Sequence, residues 1–334
     1  MDTVFITGGT GFIGNKLVSE LIRKGYKVHV LIRPTSDKHG LEHEHLYLFT
    51  GDILDLNSLK KAMEGCNQVY HLAAYARNWA PDPTTFYRHN VEGLCHVLEV
   101  AKELGVERVV FTSSFVTFGP TPSNEVCNEE TPRMTQCYST AYEGSKILAE
   151  KKGCEYVEKG LRVVIVNPTR VYGPGKLTEA NSVSLLIDKY VRGKMPVLLN
   201  HGRNIGNYAF VDDVVQGLIL AMERGKAGER YILGGENVSL KRFFEIVDEI
   251  SGKKHFQANL PTRLAMFYSR IEETKAERLG IYPSVTPGWV EMFLRDWAYS
   301  SEKAIKQLDY KITPLKEGIR ITYEWLQELR KKPK

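Results

Sequence analysis

The sequence has no long apolar run, no paired cysteine motif and little net charge, and each absence excludes a class of protein. No stretch approaches the ~18 consecutive apolar residues that a membrane-spanning helix needs, so we expect neither a membrane span nor a signal peptide. The five cysteines are odd in number, scattered and never in C-x-x-C spacing, which argues against a disulfide framework and a zinc site. We therefore expect free thiols in the reducing cytoplasm and no metal.

Charge and composition exclude further classes of protein. A net charge of +5 over 334 residues is small and indicates no role in binding nucleic acid. Hydrophobic residues at 43% and charged residues at 25% are typical of a globular protein in water. The length suits one large α/β unit with an added lobe, or two domains.

The most informative motif lies at the N-terminus. An apolar strand-like run, 4–6, leads into TGGTGFIG at 7–14, which precedes the helical spacing of Ile13, Leu17 and Leu21. Glycines in such a turn let the backbone approach a pyrophosphate, and the helix N-terminus offers unpaired N–H groups and a positive dipole end. The context of strand, turn and helix predicts a dinucleotide site. Its expected contacts are Gly8, Thr10, Gly11, Phe12, Ile13 and Gly14.

Strand-like and helical patterns alternate along the first half of the chain. The strand-like runs lie at 3–7, 27–32, 46–50, 68–72, 107–112 and 162–167. Alternation of this kind predicts an α/β fold, a Rossmann doubly wound parallel sheet with helices on both faces and its ligand at the carboxyl ends of the strands.

Beyond about residue 170 the pattern is less regular. We expect loops at 173–182 and 200–207, a helix at 211–224, a strand at 230–233, and helices near 239–251 and 315–329. Residues 1–170 should form mainly the dinucleotide-binding domain, with 208–226 returning to it. Residues 171–334 should form mainly a smaller, interleaved substrate lobe.

The end of the second strand-like run indicates which nicotinamide cofactor binds. In Rossmann folds an acidic residue there holds the ribose 2′-hydroxyl, whereas an arginine accommodates a 2′-phosphate. This chain has Ile32 followed by Arg33, and a guanidinium binds phosphate well. We therefore predict NADP(H) over NAD(H).

A tyrosine, a lysine and a serine form the candidate catalytic group. Tyr142 and Lys146 are four residues apart in YEGSK, so they share one face of a helix. A phenol has a pKa of ~10, and we expect the Lys146 ammonium, with an oxidised nicotinamide, to lower the Tyr142 pKa by ~2–3 units. Ser114 follows a predicted strand and would hold the substrate oxygen against the phenol. We take Ser113 as structural, because a strand alternates its faces.

These motifs resemble those of one family. The spacing G-x-x-G-x-x-G at 8–14, Tyr142-x-x-x-Lys146, the Thr-Ser-Ser run at 112–114 and N-P-x-x-V-Y-G-P-G at 167–175 are similar to the extended short-chain dehydrogenase/reductase family, also called the NAD-dependent epimerase/dehydratase family. RPTS at 33–36, HNVEG at 89–93, FVDDV at 210–214 and RYILGGEN at 230–237 look most like dihydroflavonol-4-reductase-like proteins. The branch labelled hopanoid-associated sugar epimerases is the most similar one we recognise.

The resemblance implies further site residues. Asp52 would accept a hydrogen bond from the adenine amino group, and the Ile53 N–H would reach the ring. The implied backbone contacts to the cofactor are Leu72, Ala73, Ala74, Thr112, Pro168, Thr169 and Val171, and the implied substrate contacts are Tyr75, Trp79, Phe115, Asn167 and Tyr208. Family members often dimerise through two helices, here those near 83–104 and 140–158, so a homodimer is possible.

Three functions remain open within this family. The leading one is an NADP-dependent reductase that converts a ketone or aldehyde of a largely apolar small molecule to an alcohol. The alternative is a nucleotide-sugar 4-epimerase with tightly held NAD, and the third is a non-catalytic NADP-binding protein.

Two departures from the nucleotide-sugar pattern favour the reductase. Gly206 stands where such epimerases usually carry a diphosphate-binding arginine, although Arg203 could substitute, and Phe210 stands where they carry a histidine. The expected pocket is aromatic, which suits an apolar carbonyl compound. Of its seven aromatic candidates we expect two or three to touch substrate: Tyr75, Trp79, Phe86, Phe115, Phe118, Tyr208 and Phe210.

Overall fold

The computed structural model describes residues 2–135, 137–194 and 197–331. The strands of these ranges are β1 (Thr3–Thr7), β2 (Lys27–Ile32), β3 (Leu46–Thr50), β4 (Gln68–His71), β5 (Arg108–Thr112), β6 (Val163–Pro168), β7 (Arg170–Tyr172), β8 (Val197–Leu199), β9 (Ile205–Phe210), β10 (Arg230–Leu233), β11 (Glu236–Ser239) and β12 (Ala258–Leu260).

The helices surround these strands. They are α1 (Phe12–Arg23), α2 (Leu56–Met63), α3 (Thr84–Tyr87), α4 (Gly93–Glu103), α5 (Ala141–Glu158), α6 (Ser182–Val191), α7 (Val211–Arg224), α8 (Leu240–Ser251), α9 (Thr262–Leu279), α10 (Pro287–Phe293), α11 (Glu302–Leu308) and α12 (Leu315–Lys331). None of the helices in the described ranges is long and apolar enough to cross a membrane.

Seven parallel strands form the central sheet, in the order β10-β6-β5-β4-β1-β2-β3. The predicted doubly wound α/β fold is therefore confirmed, and the predicted strand-like runs match the strands to within one residue. The strand order reverses between β1 and β4. In sheets of this type the ligand binds in the crevice outside the carboxyl ends of the strands at that switch point.

Side chains of each central strand alternate between two apolar layers. In β1, Val4 and Ile6 belong to a fully buried cluster with Leu17 of α1 and Leu218 of α7. Phe5 between them belongs to a second cluster, on the other face, with α2, α4 and α5. A parallel sheet covered on both faces needs such near-continuous apolar strands, which is why they were visible in the sequence.

A smaller sheet, β11-β9-β7, connects the central sheet to the C-terminal lobe. Val171 and Ala209, register partners on β7 and β9, face the core beside α1 and α7. Their neighbours Tyr172 and Phe210 face a third core, built with α6, α8 and α12. The helix α7 that follows β9 packs back on the central sheet beside α1.

Several elements of the lobe differ from the sequence predictions or were not predicted, and two of them have a clear physical reason. The prediction of a loop at 200–207 is wrong for residues 205–207, because β9 begins at Ile205 and pairs with β11 and β7. A glycine and an asparagine early in β9 hide it from an apolar pattern. The helix α9 was not predicted, because its buried residues are the small Ala265, Ser269 and Ala276.

Candidate active site

A cavity of about 510 Å³ opens at the carboxyl ends of the central strands. Its lining begins at the glycine turn after β1, passes Arg33 and Asp52, and ends at Ser114, Tyr142 and Lys146. The switch point of the sheet thus brings the predicted cofactor residues and the predicted catalytic residues into one cavity. The other predicted cofactor residues that line it are Thr10, Phe12, Ile13, Ile53, Leu72, Ala73, Ala74, Thr112, Pro168, Thr169 and Val171.

Two glycines of the turn are required by its geometry. Gly8 has a φ of 77°, and a Cβ there would lie 2.7 Å from the Ala73 nitrogen. A Cβ on Gly14 would lie 2.2 Å from the Gly8 oxygen. The N-terminus of α1 begins after Gly11, which supplies no side-chain cap. Its first-turn N–H groups therefore face the cavity without a side-chain acceptor, as an anion site needs.

Arg33 and Ser36 form one end of the cavity. The Arg33 N–H donates to Ser36 Oγ at 3.1 Å, and the Ser36 N–H donates to the Arg33 oxygen at 2.9 Å, which closes a tight turn. The nearby Asp37 carboxylate is paired with Lys176 at 2.8 Å. The exposed Arg33 guanidinium has no ion-pair partner in the described part of the chain, so it is available to an anionic ligand.

A hydrogen-bonded chain fixes the backbone that follows β4. The Ala73 N–H donates to Thr7 Oγ1 at 3.2 Å, and Thr7 Oγ1 lies 2.8 Å from His71 Nδ1. Burial, aided by the Lys146 charge, lowers the His71 pKa to about 3 and keeps the ring neutral. The Leu72–Ala74 segment is therefore held against the glycine turn.

Lys146 is buried and Tyr142 is half-buried beside the end of β5. Lys146 Nζ donates to the Thr112 oxygen at 2.9 Å, and burial lowers the pKa of its ammonium to about 8. Burial raises the Tyr142 pKa to about 12, with the Ser114 hydrogen bond acting in the opposite direction. The lowering expected with an oxidised nicotinamide bound stays a prediction, because in the protein alone desolvation is the largest effect on the Tyr142 pKa. Tyr142 is held protonated, the form that donates a proton.

Local structure places Ser114 and Tyr142. Ser114 precedes a single helical turn, 115–118, and its Oγ accepts from the Val116 N–H at 3.5 Å. Tyr142 lies in the first turn of α5, which Thr140 caps by accepting from the Glu143 N–H at 3.2 Å.

Arg133, which the sequence reasoning missed, connects these two segments. Its guanidinium donates to the Val116 and Thr117 oxygens at 3.0 and 3.2 Å and forms a buried ion pair with Glu143. Only contact information could have found this residue, because it lies in an irregular segment.

Asn90 is a second residue that the sequence reasoning missed. It lies in a widened helical turn, 88–92, between α3 and α4, a feature that is frequent at functional sites. Its Oδ1 accepts from the Tyr75 N–H at 2.7 Å, and its Nδ2 donates to Ser145 Oγ at 2.9 Å. Ser145 in turn donates to the Tyr142 oxygen at 2.7 Å. Asn90 therefore connects the cavity wall at Tyr75 with the catalytic helix.

The structure divides the predicted substrate residues. Tyr75, Phe115 and Tyr208 line the cavity. Trp79 does not, because its ring packs edge-on against Tyr282 at 6.0 Å. The remaining aromatic candidates, Phe86, Phe118 and Phe210, are buried in the cores.

The assignment of Asn167 to the substrate is also wrong. Its side chain is fully buried, and Nδ2, which has two hydrogens to donate, lies within reach of three acceptors: the Ser114 oxygen, Thr117 Oγ1 and Glu150 Oε1 at 3.1, 3.1 and 2.6 Å. These contacts make it a support for the serine segment.

The residues around the cavity fit a nicotinamide dinucleotide. The first-turn N–H groups of α1 suit a pyrophosphate, and Asp52, whose Oδ1 accepts from the Leu54 N–H at 2.9 Å, has a second carboxylate oxygen for a donor. At the other end, the Thr112 and Ser113 hydroxyls line the cavity and are buried without a hydrogen-bond partner among the described residues. Ser113, expected to be structural, thus lines the cavity. No cluster of metal-ligating side chains occurs in the described ranges.

Fold and cavity together define a Rossmann-type oxidoreductase. Residues 4–234 match the model of the NAD dependent epimerase/dehydratase family. The chain is 32% identical over 330 residues to a putative dihydroflavonol 4-reductase of a Synechocystis species, covering 98% of this chain and 95% of that one. It is 32% identical to cinnamoyl-CoA reductase 1 of Petunia hybrida, covering 97% and 92%. The crystal structure of gox2253 superimposes with a TM-score of 0.83 over the whole of both chains, at 32% identity.

The chain therefore belongs to the NAD dependent epimerase/dehydratase family, in the branch that resembles dihydroflavonol 4-reductase. It is an enzyme of that family, whose description names a nicotinamide dinucleotide as the cofactor.

Proposed function

We propose that the protein is an NADP(H)-dependent reductase that converts a ketone or aldehyde of a largely apolar small molecule to an alcohol. The observation that carries the proposal is the meeting of Ser114, Tyr142 and Lys146 in the cavity that also holds the glycine turn. The names of two relatives as reductases support the same direction.

The side chains have separate roles in this reaction. The Ser114 and Tyr142 hydroxyls hold the carbonyl oxygen of the substrate. The hydride would come from a nicotinamide, when one is bound. Tyr142, protonated in the protein alone, gives its proton to the oxygen, so that the carbonyl becomes an alcohol and the tyrosine a phenolate. The Lys146 ammonium stabilises that phenolate, which regains a proton from solvent.

Replacing the proton donor tests this mechanism. Tyr142→Phe should lower turnover of the best substrate from a panel of apolar ketones and aldehydes by ~100-fold or more, the usual scale of general acid catalysis. NADPH affinity, measured by fluorescence titration, should remain. The control is Tyr156→Phe, on the same helix, whose hydroxyl bonds Glu99 at 2.9 Å and lies outside the cavity. Unchanged turnover in Tyr142→Phe would remove this residue from the mechanism.

The NADP preference is supported by the turn after β2. Arg33 and Ser36 line the cavity where Rossmann folds bind the ribose, and the preceding Ile32 offers no carboxylate to a 2′-hydroxyl. Arg33→Ala should weaken NADPH binding by ~10- to 100-fold, the cost of a charge-assisted hydrogen bond, and change NADH binding little. Lys38→Ala, an exposed cation of the same segment, is the control. An equal loss for both nucleotides would contradict the cofactor assignment.

The structure offers little support for the nucleotide-sugar alternative. Arg203, the possible substitute for a diphosphate-binding arginine, is exposed and outside the cavity. Phe210, at the position of the usual histidine, is buried in the third core. A non-catalytic role is disfavoured because all three catalytic side chains reach the same cavity.

A further inference from the structure

A second cavity of about 230 Å³ lies in the C-terminal lobe. Its walls come from β8, α8, α9, α10 and β12, and most of its lining is aliphatic, including Val197, Leu198, Leu240, Leu260, Ala265 and Val290. An apolar cavity of ~150 Å³ already stays dry and binds a benzene-sized ligand. A larger one lined in this way favours a hydrocarbon group over water.

The second cavity adjoins the active-site cavity. Three residues line both of them, namely Arg170, Trp289 and Phe293. The Trp289 and Phe293 rings lie on successive turns of the short helix α10, with centroids 4.4 Å apart. The two cavities therefore share a wall to which these rings contribute, and a ligand that displaces the rings can reach both cavities.

Arg170 lies where the two cavities meet, and none of the described residues forms an ion pair with its guanidinium. Its guanidinium lies over the Phe293 ring at 4.8 Å and over the Tyr208 ring at 5.9 Å. No carboxylate of the described ranges lies within 4.0 Å of it.

Tyr208 adds a second polar group at the same place. It is the register partner of Arg170 on the neighbouring strand, so both side chains lie on one face of the small sheet. The Tyr208 hydroxyl is buried and has no hydrogen-bond partner among the described residues. A half-buried guanidinium beside an unpaired buried hydroxyl is suited to a carboxylate or another acidic group.

We propose that the substrate is an anionic amphiphile, an apolar molecule with an acidic group beside its reactive end. The acidic group binds Arg170 and Tyr208, the carbonyl lies against Ser114 and Tyr142, and the apolar tail occupies the second cavity. This inference rests on the proposed reductase function and specifies its substrate class.

Direct binding tests the inference without turnover. Isothermal titration calorimetry of the purified protein should show dodecanoate binding at one site per chain. Hexanoate, with six fewer methylenes at ~4-fold each, should bind at least ~100-fold more weakly. Arg170→Met should weaken dodecanoate by ~10- to 100-fold and leave 1-dodecanol within about threefold. Ala265→Phe, which fills the second cavity, should weaken both ligands.

Arg295→Met is the matched control, because Arg295 lines the second cavity but is exposed. It should leave dodecanoate affinity within about threefold. The inference is overturned if Arg170→Met binds dodecanoate normally, if Arg295→Met carries the loss instead, or if chain length has no effect. Should Ala265→Phe not fold, the chain-length series and the arginine variants still decide.

Failure of the inference differs from failure of the proposed function. Reduction of ketones by a protein that binds no dodecanoate would overturn the inference alone. Tight binding of UDP, lost in Arg170→Met, would overturn both, because it would indicate a nucleotide-sugar substrate.

Discussion

Lys146 is expected to reduce stability while it enables catalysis. Burial lowers its pKa from the usual 10.5 to about 8. Both the folded and the unfolded chain bind this proton below pH 8, so the folded state carries the full cost of the buried ammonium there. Between pH 8 and 10.5 the unfolded chain binds more protons, and the free energy of unfolding rises with pH.

The size of the effect follows from that shift. A difference of about 2.5 pKa units corresponds to about 3 kcal/mol at pH 7, and about 2 kcal/mol remains at pH 9. Lys146→Met removes the ammonium but leaves the Thr112 oxygen, which accepts from Nζ at 2.9 Å, without that donor, at about 1 kcal/mol. The variant should therefore be more stable than the parent by about 2 kcal/mol at pH 7 and about 1 kcal/mol at pH 9.

Urea denaturation followed by circular dichroism measures both values, and turnover of the same variant should fall by ~100-fold or more. Lys152→Met is the control, since Lys152 is partly exposed on the same helix and pairs with Glu155 at 2.9 Å. It should change stability by less than ~1 kcal/mol. A Lys146→Met variant that is less stable at pH 7, or whose advantage does not shrink with pH, would refute the reasoning.

Two further variants test the glycine turn and the serine support. Gly14→Ala should destabilise the fold by ~3 kcal/mol and abolish nucleotide binding, because its Cβ would lie 2.2 Å from the Gly8 oxygen; Gly153→Ala, with side-chain contacts at 3.7 and 3.9 Å, is the control. Both are measured by urea denaturation and NADPH titration. Asn167→Ala should lower the free energy of unfolding by ~2 kcal/mol. It should also lower kcat while KM for the substrate stays unchanged. A raised KM at constant kcat would restore Asn167 as a substrate residue.

The central sheet was predictable because a fully covered parallel strand must be apolar along its length. β2 and β10, for example, each begin at a basic residue and end where their apolar runs end, at Ile32 and Leu233. The C-terminal lobe follows no such rule. β9 pairs through Gly206 and Asn207, and α9 buries mainly small residues, so their structure depends on tertiary contacts that a single sequence does not display.

The site shows the same division. Gly8, Tyr142 and Lys146 were predictable because their spacing carries the chemistry. Asn167 was misassigned because the sequence shows that it lies at a strand end but not in which direction its side chain points. In the structure the side chain points to Ser114 and Glu150. Arg133 and Asn90 act through contacts with distant segments, 10 to 55 residues away in the chain.

The nucleotide carried by the freshly purified protein tests the central claim most directly. Denaturing the protein and identifying the released nucleotide by mass and absorbance distinguishes a reductase, which exchanges its cofactor at each turnover, from an epimerase, which retains it. The account predicts that the purified protein carries little nucleotide, and that any nucleotide it carries is NADP(H). It also predicts that the protein takes up added NADPH reversibly and in preference to NADH. Stoichiometric NAD⁺ released on denaturation would contradict it.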